Sequence, residues 1–264
     1  MELYQRMTST LLDKKIIRTV LVLLFWLIVW QLAAWATGQD IFLVSPITVI
    51  RTLFYQVQEV AFWSAVAYSF GRIASGFFLA IIAGVLLSVI SAASGIARAL
   101  LEPFFSVVKS IPVVSFIILV LVWVGNRNLS VVISFLMVLP VLYTNVLQGI
   151  LETDQKLLEM AKVFRMSFRK RLYSIYIPQA LPFFAAGCRL GLGLCWKSGI
   201  AAEVIGLPNG SIGEQLYQAK IFLSTGELFS WTLVIILVSY LFERLFLWLL
   251  RYAERCLIGR DAAT

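Results

Sequence analysis

The sequence has no histidine and only three cysteines, Cys188, Cys195 and Cys256, with no CxxC pair among them. The first absence removes the commonest general base and metal ligand, and the second leaves neither a disulfide framework nor a zinc-type site. Charge is scarce as well: Asp, Glu, Lys and Arg make up 14% of 264 residues against 61% hydrophobic. Neither a GxSxG nor an HExxH pattern occurs, and no catalytic constellation is expected. The nearest approach to a phosphate-cradling loop, Trp196-Lys197-Ser198, has tryptophan where glycine is required and lies in an apolar run. No fixed-period repeat or low-complexity tract is present. What remains is a polytopic membrane protein, its few charges pushed into short intervals between long apolar runs. In a soluble protein a formal charge of +8 would point to nucleic acid. Here the basic residues fall in segments expected to face the cytoplasm, so topology accounts for them.

Six runs are expected to span the bilayer, at about 16–36, 70–93, 104–124, 129–149, 182–202 and 228–250. The first follows Arg6, Lys14, Lys15 and Arg18 and exceeds a signal-peptide core, so it reads as an uncleaved span with its N-terminus inside. After it, Ser45-Pro46 opens an amphipathic interfacial segment on the outer side. Gly71, Ser75, Gly84 and Ser88 allow close helix approach in the second run, and Pro112 should bend or break the third near its cytoplasmic end. In the fourth, Asn145 can hydrogen-bond across helices or touch cargo.

The fifth run places Arg189 and Lys197 within apolar sequence and Glu203 beside it. Ionisable groups there are expensive and face polar interiors, and a cationic lining suits an anionic solute. Gly187 and Gly191 form a GxxxG pair, with Gly193 beyond, so one face can press on another helix or a second subunit. Residues 207–213 read as an outer turn. Glu243 and Arg244, then Arg251, Arg255 and Arg260, mark the inner end of the sixth run, which puts both termini inside.

Between the fourth and fifth runs lies Gly149–Pro182, the longest polar interval, with Lys156, Lys162, Arg165, Arg169, Lys170 and Arg171. So much positive charge should stay in the cytoplasm. Leu157, Leu158, Ala161 and Phe164 recur at helical spacing, and Asp154 stands where a carboxylate favours a helix N-terminus. An amphipathic helix follows, lying either against a protein partner or on anionic lipid.

In this interval Glu159-Met160-Ala161, followed by Ile177-Pro178, resembles the cytoplasmic "EAA" loop of binding-protein-dependent ABC importer permeases. Met160 replaces the family's first alanine, and Arg165 stands in place of its glycine, which makes a tight turn there costly. Residues 68–77 (YSFGRIASGF) resemble the "SLxRxxxGF" string of the nitrate, sulfonate and taurine subgroup. Ile111-Pro112, Trp123-Val124-Gly125, Gly191-Leu192-Gly193 and Ala201-Ala202-Glu203 match further landmarks in order, although Arg127 and Val131 depart from the pattern. The resemblance covers roughly residues 60–252.

It implies an all-α fold: six transmembrane helices with a five-helix type I importer core. Residues 1–60 would hold the N-terminal tail, first span and external segment, 61–252 the transmembrane domain with coupling loop 150–178, and 253–264 a cytoplasmic tail. Implied partners are two copies of an ABC ATPase, a second permease copy in a homodimer, an extracytoplasmic solute-binding protein and membrane lipid, with no nucleic acid. This chain would bind no cofactor, ATP and Mg residing on the partner ATPase. Glu159, Met160, Ala161, Arg165 and Pro178 would couple to that ATPase. Arg189, Lys197, Glu203 and Asn145 would be pathway or gate residues, and Gly187, Gly191 and Gly193 packing residues. A reading of a different class is an ion-coupled secondary carrier using Glu203, Arg189 and Lys197 as its charge relay.

Overall fold

Long apolar runs satisfy their backbone groups in lipid by coiling on themselves. In the computed structural model, which describes residues 2–39 and 42–258, every regular element is helical. Arg260 lies outside the described residues, as do the side chains of Arg6, Lys14, Lys15, Arg255 and Cys256. In chain order the helices are α1 (Glu2–Thr37), α2 (Pro46–Gln56), α3 (Val60–Ala93), α4 (Gly95–Ser110), α5 (Val113–Val124), α6 (Leu129–Leu151), α7 (Gln155–Val163), α8 (Phe168–Arg171), α9 (Ile177–Gly206), α10 (Ile212–Ile221) and α11 (Thr225–Ile258). A π-helical stretch, Leu172–Tyr176, joins α8 to α9.

Among the described residues, four helices are long and apolar enough to cross a membrane: α1 from Ile17, α3, α6 and α11 to Glu254. The bent pair α4 and α5 would make a fifth. With Arg189, Lys197 and Glu203 along it, α9 is not one of these. The third run is divided more sharply than a bend at Pro112 suggests. Residues 104–124 do not form one rod, because α4 ends at Ser110, α5 begins at Val113 and their axes turn by 109°. Ile111, just before the proline, is extended (ψ 132°), as the clash with the proline ring demands. With 12 residues, α5 rises only about 18 Å, well short of the roughly 30 Å hydrocarbon core.

The chain separates into two compact units, Met1–Phe62 with Gln218–Leu233, and Trp63–Tyr217 with Val234–Thr264. In the first, Ser45 caps α2 by accepting from the Thr48 N–H (3.2 Å), and Trp30 Nε1 donates to the Val44 carbonyl (3.0 Å). Phe62 stacks on Trp231 with centroids 5.0 Å apart.

In the second unit, α6 and α9 pack closely against each other. The Ser134 hydroxyl of α6 donates to the Cys195 carbonyl of α9 (3.1 Å). A Cβ on Gly199 would lie 2.6 Å from Ser134 Oγ and 2.7 Å from Ile73 Cγ1. Small residues thus set the spacing, as they do where lipid supplies no hydrophobic drive between helices. Against the other side of α6, Ser88 of α3 donates to the Tyr143 carbonyl (2.9 Å). Phe105 of α4 meets the Tyr143 ring at 4.3 Å. Phe70, Phe77 and Trp196 pack around Phe242 of α11.

Candidate functional site

Two features are positioned by this scaffold: the basic loop between α6 and α9, and the charged face of α9. In the loop, Asp154 caps α7 by accepting from the Lys156 N–H (2.9 Å). The helix ends at Arg165, which holds the left-handed conformation at φ 46°. The Arg165 N–H donates to the Lys162 carbonyl (3.0 Å) and the Met166 N–H to the Ala161 carbonyl (2.9 Å). These two bonds are the paired closure of a Schellman end. Glycine usually occupies that position; here the turn forms with arginine, against the expectation that its side chain would work against a tight turn.

Only Ala161 of α7 is buried (2% exposed), with Leu157 and Leu158 half-buried. Glu159, Met160, Val163 and Phe164 face outward, Val163 and Phe164 at 79% and 73%. Phe168, at the start of α8, is also exposed. Lys156, Lys162, Arg165, Arg169 and Lys170 are exposed in the same loop. The loop therefore exposes large apolar side chains among basic ones, a surface suited to contact rather than solvation. Val163 and Phe168 were not singled out in the sequence; their signal was large apolar residues inside a basic interval.

Downstream, Pro178 lacks an N–H and its ring crowds the preceding turn, as does that of Pro182. The backbone answers by widening to the π-helical stretch, where the Ile177 N–H donates to the Leu172 carbonyl. Such stretches are rare and recur at functional sites.

Along α9 the residues singled out from sequence divide among three surroundings. Gly187 and Gly191 face α6, where Cβ atoms would meet Asn145 Cβ at 3.1 Å and Val138 Cγ1 at 2.9 Å. Asn145 turns its amide back on its own helix, donating to the Val141 carbonyl (2.8 Å). Gly193 has nothing within 4 Å and lies with Leu190, Leu194 and Lys197 on an exposed edge. Arg189 is exposed too, but it lines a cleft with Tyr240, Glu243, Arg244 and Arg251 of α11.

Glu203 is closed off at 0% exposure. Ser69 Oγ donates to its Oε2 (2.6 Å), the Gly213 N–H does so at 3.3 Å, and the Ile212 N–H donates to Ser69 Oγ (2.9 Å). This carboxylate thereby fastens α3, α9 and the first turn of α10 together. Nearby, Arg72 lies over the Tyr68 ring (4.5 Å to its centroid) and donates to the Arg127 carbonyl and Asn128 Oδ1, tying α3 to the turn before α6.

Residues 76–258 match the family model described as "Binding-protein-dependent transport system inner membrane component". The chain is 26% identical over 199 residues to the putative aliphatic sulfonates transport permease protein SsuC of Bacillus subtilis, covering 75% of this chain and 71% of that one. It is 26% identical over 220 residues to the taurine transport system permease protein TauC of Escherichia coli, covering 81% and 80%. Against the bicarbonate transport system permease protein CmpB of Synechococcus elongatus it is 28% identical over 195 residues, covering 74% and 70%. A crystal structure of an amino acid ABC transporter with histidines aligns over 72% of this chain and 94% of its own, at TM-score 0.49 and 20% identity.

Proposed function

This chain belongs to the family of binding-protein-dependent transport system inner membrane components, and from that premise we propose how its parts divide the work of an importer. It is a multi-pass membrane permease, the translocation subunit of an ATP-binding-cassette importer, partnered by an ATPase and a binding protein. No likeness supports an ion-coupled carrier. In our reading, residues 150–178 are the coupling loop, which seats its exposed apolar side chains in a groove of the ATPase while Glu159 and the loop's cations fix its register. The carrying observation is the exposure of Met160, Val163, Phe164 and Phe168 on a polar, basic loop. On that assignment the loop and both termini are cytoplasmic. The six spans are α1, α3, the bent pair α4 and α5, α6, α9 and α11.

Two such permeases pair across a two-fold axis over two ATPase subunits, and ATP with Mg is held by those subunits. Closure of the ATPase pair pushes on α7 and shifts the balance between inward- and outward-open pores, which requires each ligand to favour one state over the other. The free edge of α9, with Gly193 giving room beside Lys197, faces the pathway. The relatives' names include sulfonates, taurine, bicarbonate and nitrate, and with a cationic edge that supports a small solute bearing an oxyanion group.

The test is Glu159→Lys in proteoliposomes with the partner subunits. Insertion should persist while ATPase activity no longer responds to loaded binding protein; unchanged uptake would reject the coupling role. Sidedness is read separately, by cysteines at Lys162 or Lys170 that label only from the cytoplasmic side.

A further inference from the structure

The second unit contains a charged cleft between α9 and the C-terminal half of α11. It measures about 350 Å³ and is lined by Arg189, Tyr240, Glu243, Arg244, Arg251 and Glu254, with Ala185, Leu247 and Leu250 as apolar wall. The two helices run in opposite directions, since Trp196 meets Phe242 while Ala185 lies beside residues near 250. Side chains lean toward the N-terminus of their own helix, so Arg189 and the Arg251 and Glu254 pair point toward one another and converge in the cleft. Even so, none of its three guanidinium groups forms an ion pair; among the described residues the ion pair within 4 Å is Arg98 with Glu102. Arg244 Nε donates to the Tyr240 hydroxyl (2.9 Å) and Arg251 Nε to the Leu247 carbonyl (3.2 Å), which leaves their remaining N–H groups to the cleft.

The surroundings identify the occupant. Trp248 and Tyr252 stack at 6.3 Å and are exposed, the arrangement of an aromatic belt at a membrane–water boundary. Arg251 and Glu254 therefore sit at head-group depth. From there the outer face of α11 continues toward the membrane interior through exposed Leu249, Leu245 and Leu241, a track for an acyl chain.

We propose that this cleft binds a monoanionic phospholipid of the cytoplasmic leaflet whose head group also carries hydroxyl groups, the chemistry of phosphatidylglycerol. Three arginines against two glutamates leave one net positive charge. Arg189, Arg244 and Arg251 hold the phosphate, and Glu254 accepts from a head-group hydroxyl. Basic pockets between transmembrane helices recognise anionic head groups in this way. The leaflet assignment rests on the cytoplasmic placement of the α11 C-terminus in the proposed function; the cleft itself does not.

The complete transporter, delipidated in detergent, is supplied in separate arms with phosphatidylglycerol, phosphatidylcholine, phosphatidylethanolamine or inorganic phosphate. Retained lipid is counted by native mass spectrometry and thermal unfolding is followed. Phosphatidylglycerol should be retained and raise the unfolding temperature. The double variant Arg189→Gln with Arg251→Gln should lose at least ten-fold in retention, while Arg251→Lys, which keeps the charge, and Arg98→Gln, remote from the cleft, should retain it. Equal retention of the zwitterionic lipids, undiminished retention in the double variant, or stabilisation by inorganic phosphate alone would each overturn the assignment. Retention in detergent is blind to sidedness, so an inverted orientation would show only in the labelling at Lys162.

Discussion

Replacing Arg165 by glycine should strengthen the C-terminal end of α7 rather than damage it. At φ 46° an L-residue crowds its Cβ against the backbone, at a cost of about 1–2 kcal/mol. Glycine removes that crowding but gives the open chain more freedom, which returns about 0.5–1 kcal/mol. The net gain is then roughly 0–1.5 kcal/mol, or up to about ten-fold in the equilibrium for local opening. The Arg165 side chain is exposed, so Arg165→Ala, which keeps the Cβ and discards the guanidinium, should stay within about 0.5 kcal/mol of the parent. Arg165→Val should be worse than either, because branching at Cβ makes the left-handed region a true outlier. The amides to watch are those of Arg165 and Met166, which close the helix onto Lys162 and Ala161. Hydrogen exchange in the assembled transporter should show their protection ordered Gly above Arg and Ala, with Val lowest. If glycine and alanine weaken protection equally, the guanidinium rather than the backbone sets the stability of this turn and the reasoning fails. Loss of ATPase association on pull-down with Arg165→Gly would instead reveal a specific contact made by the arginine.

Three further outcomes follow from packing and hydrogen bonding. Gly199→Ala should destabilise by about 1–3 kcal/mol, since its Cβ would enter Ser134 and Ile73 in a packed interior, whereas Gly193→Ala, with open space around it, should be neutral; equal melting temperatures in detergent would contradict the close approach of α9 to α6 and α3. Glu203→Ala should cost about 1–3 kcal/mol by stranding the Ser69 hydroxyl and the Gly213 N–H, while Glu203→Gln, which keeps an acceptor oxygen, should cost less, and amide exchange at Gly213 distinguishes them. Gly213→Ala should loosen the same junction, because its Cβ would lie 2.5 Å from the Glu203 carbonyl carbon; amide exchange at Ile212 as slow as in the parent would refute this.

Much of the local structure of the loop between α6 and α9 was legible in sequence because its signals are local. Asp154 before a helical pattern announced a cap, and Ala161 with Leu157 and Leu158 announced the inward face, whereas Phe164, read on the same stripe, is exposed because it lies past the last helical turn. Pro112 likewise announced a break in the third run, since the ring acts on its immediate neighbours; the 109° turn of the axes did not follow from any local rule. Glu203 could be seen to be costly, yet the partner that holds it, Ser69, is 134 residues away. Arg189 was equally conspicuous, but its neighbours in the cleft lie more than 50 residues on.

That this chain is helical and membrane-embedded, and which loop gathers the positive charge, could be read from the residues in order. Hydropathy, proline and caps act within a few residues and need no knowledge of the fold. Which side of each long helix meets protein was settled in three dimensions: Gly191 against α6, Gly193 in the open and Arg189 beside α11. In a bilayer the lipid-facing and protein-facing sides of a helix are equally apolar, so no amphipathic pattern marks the difference, and close packing between small residues fixes it instead.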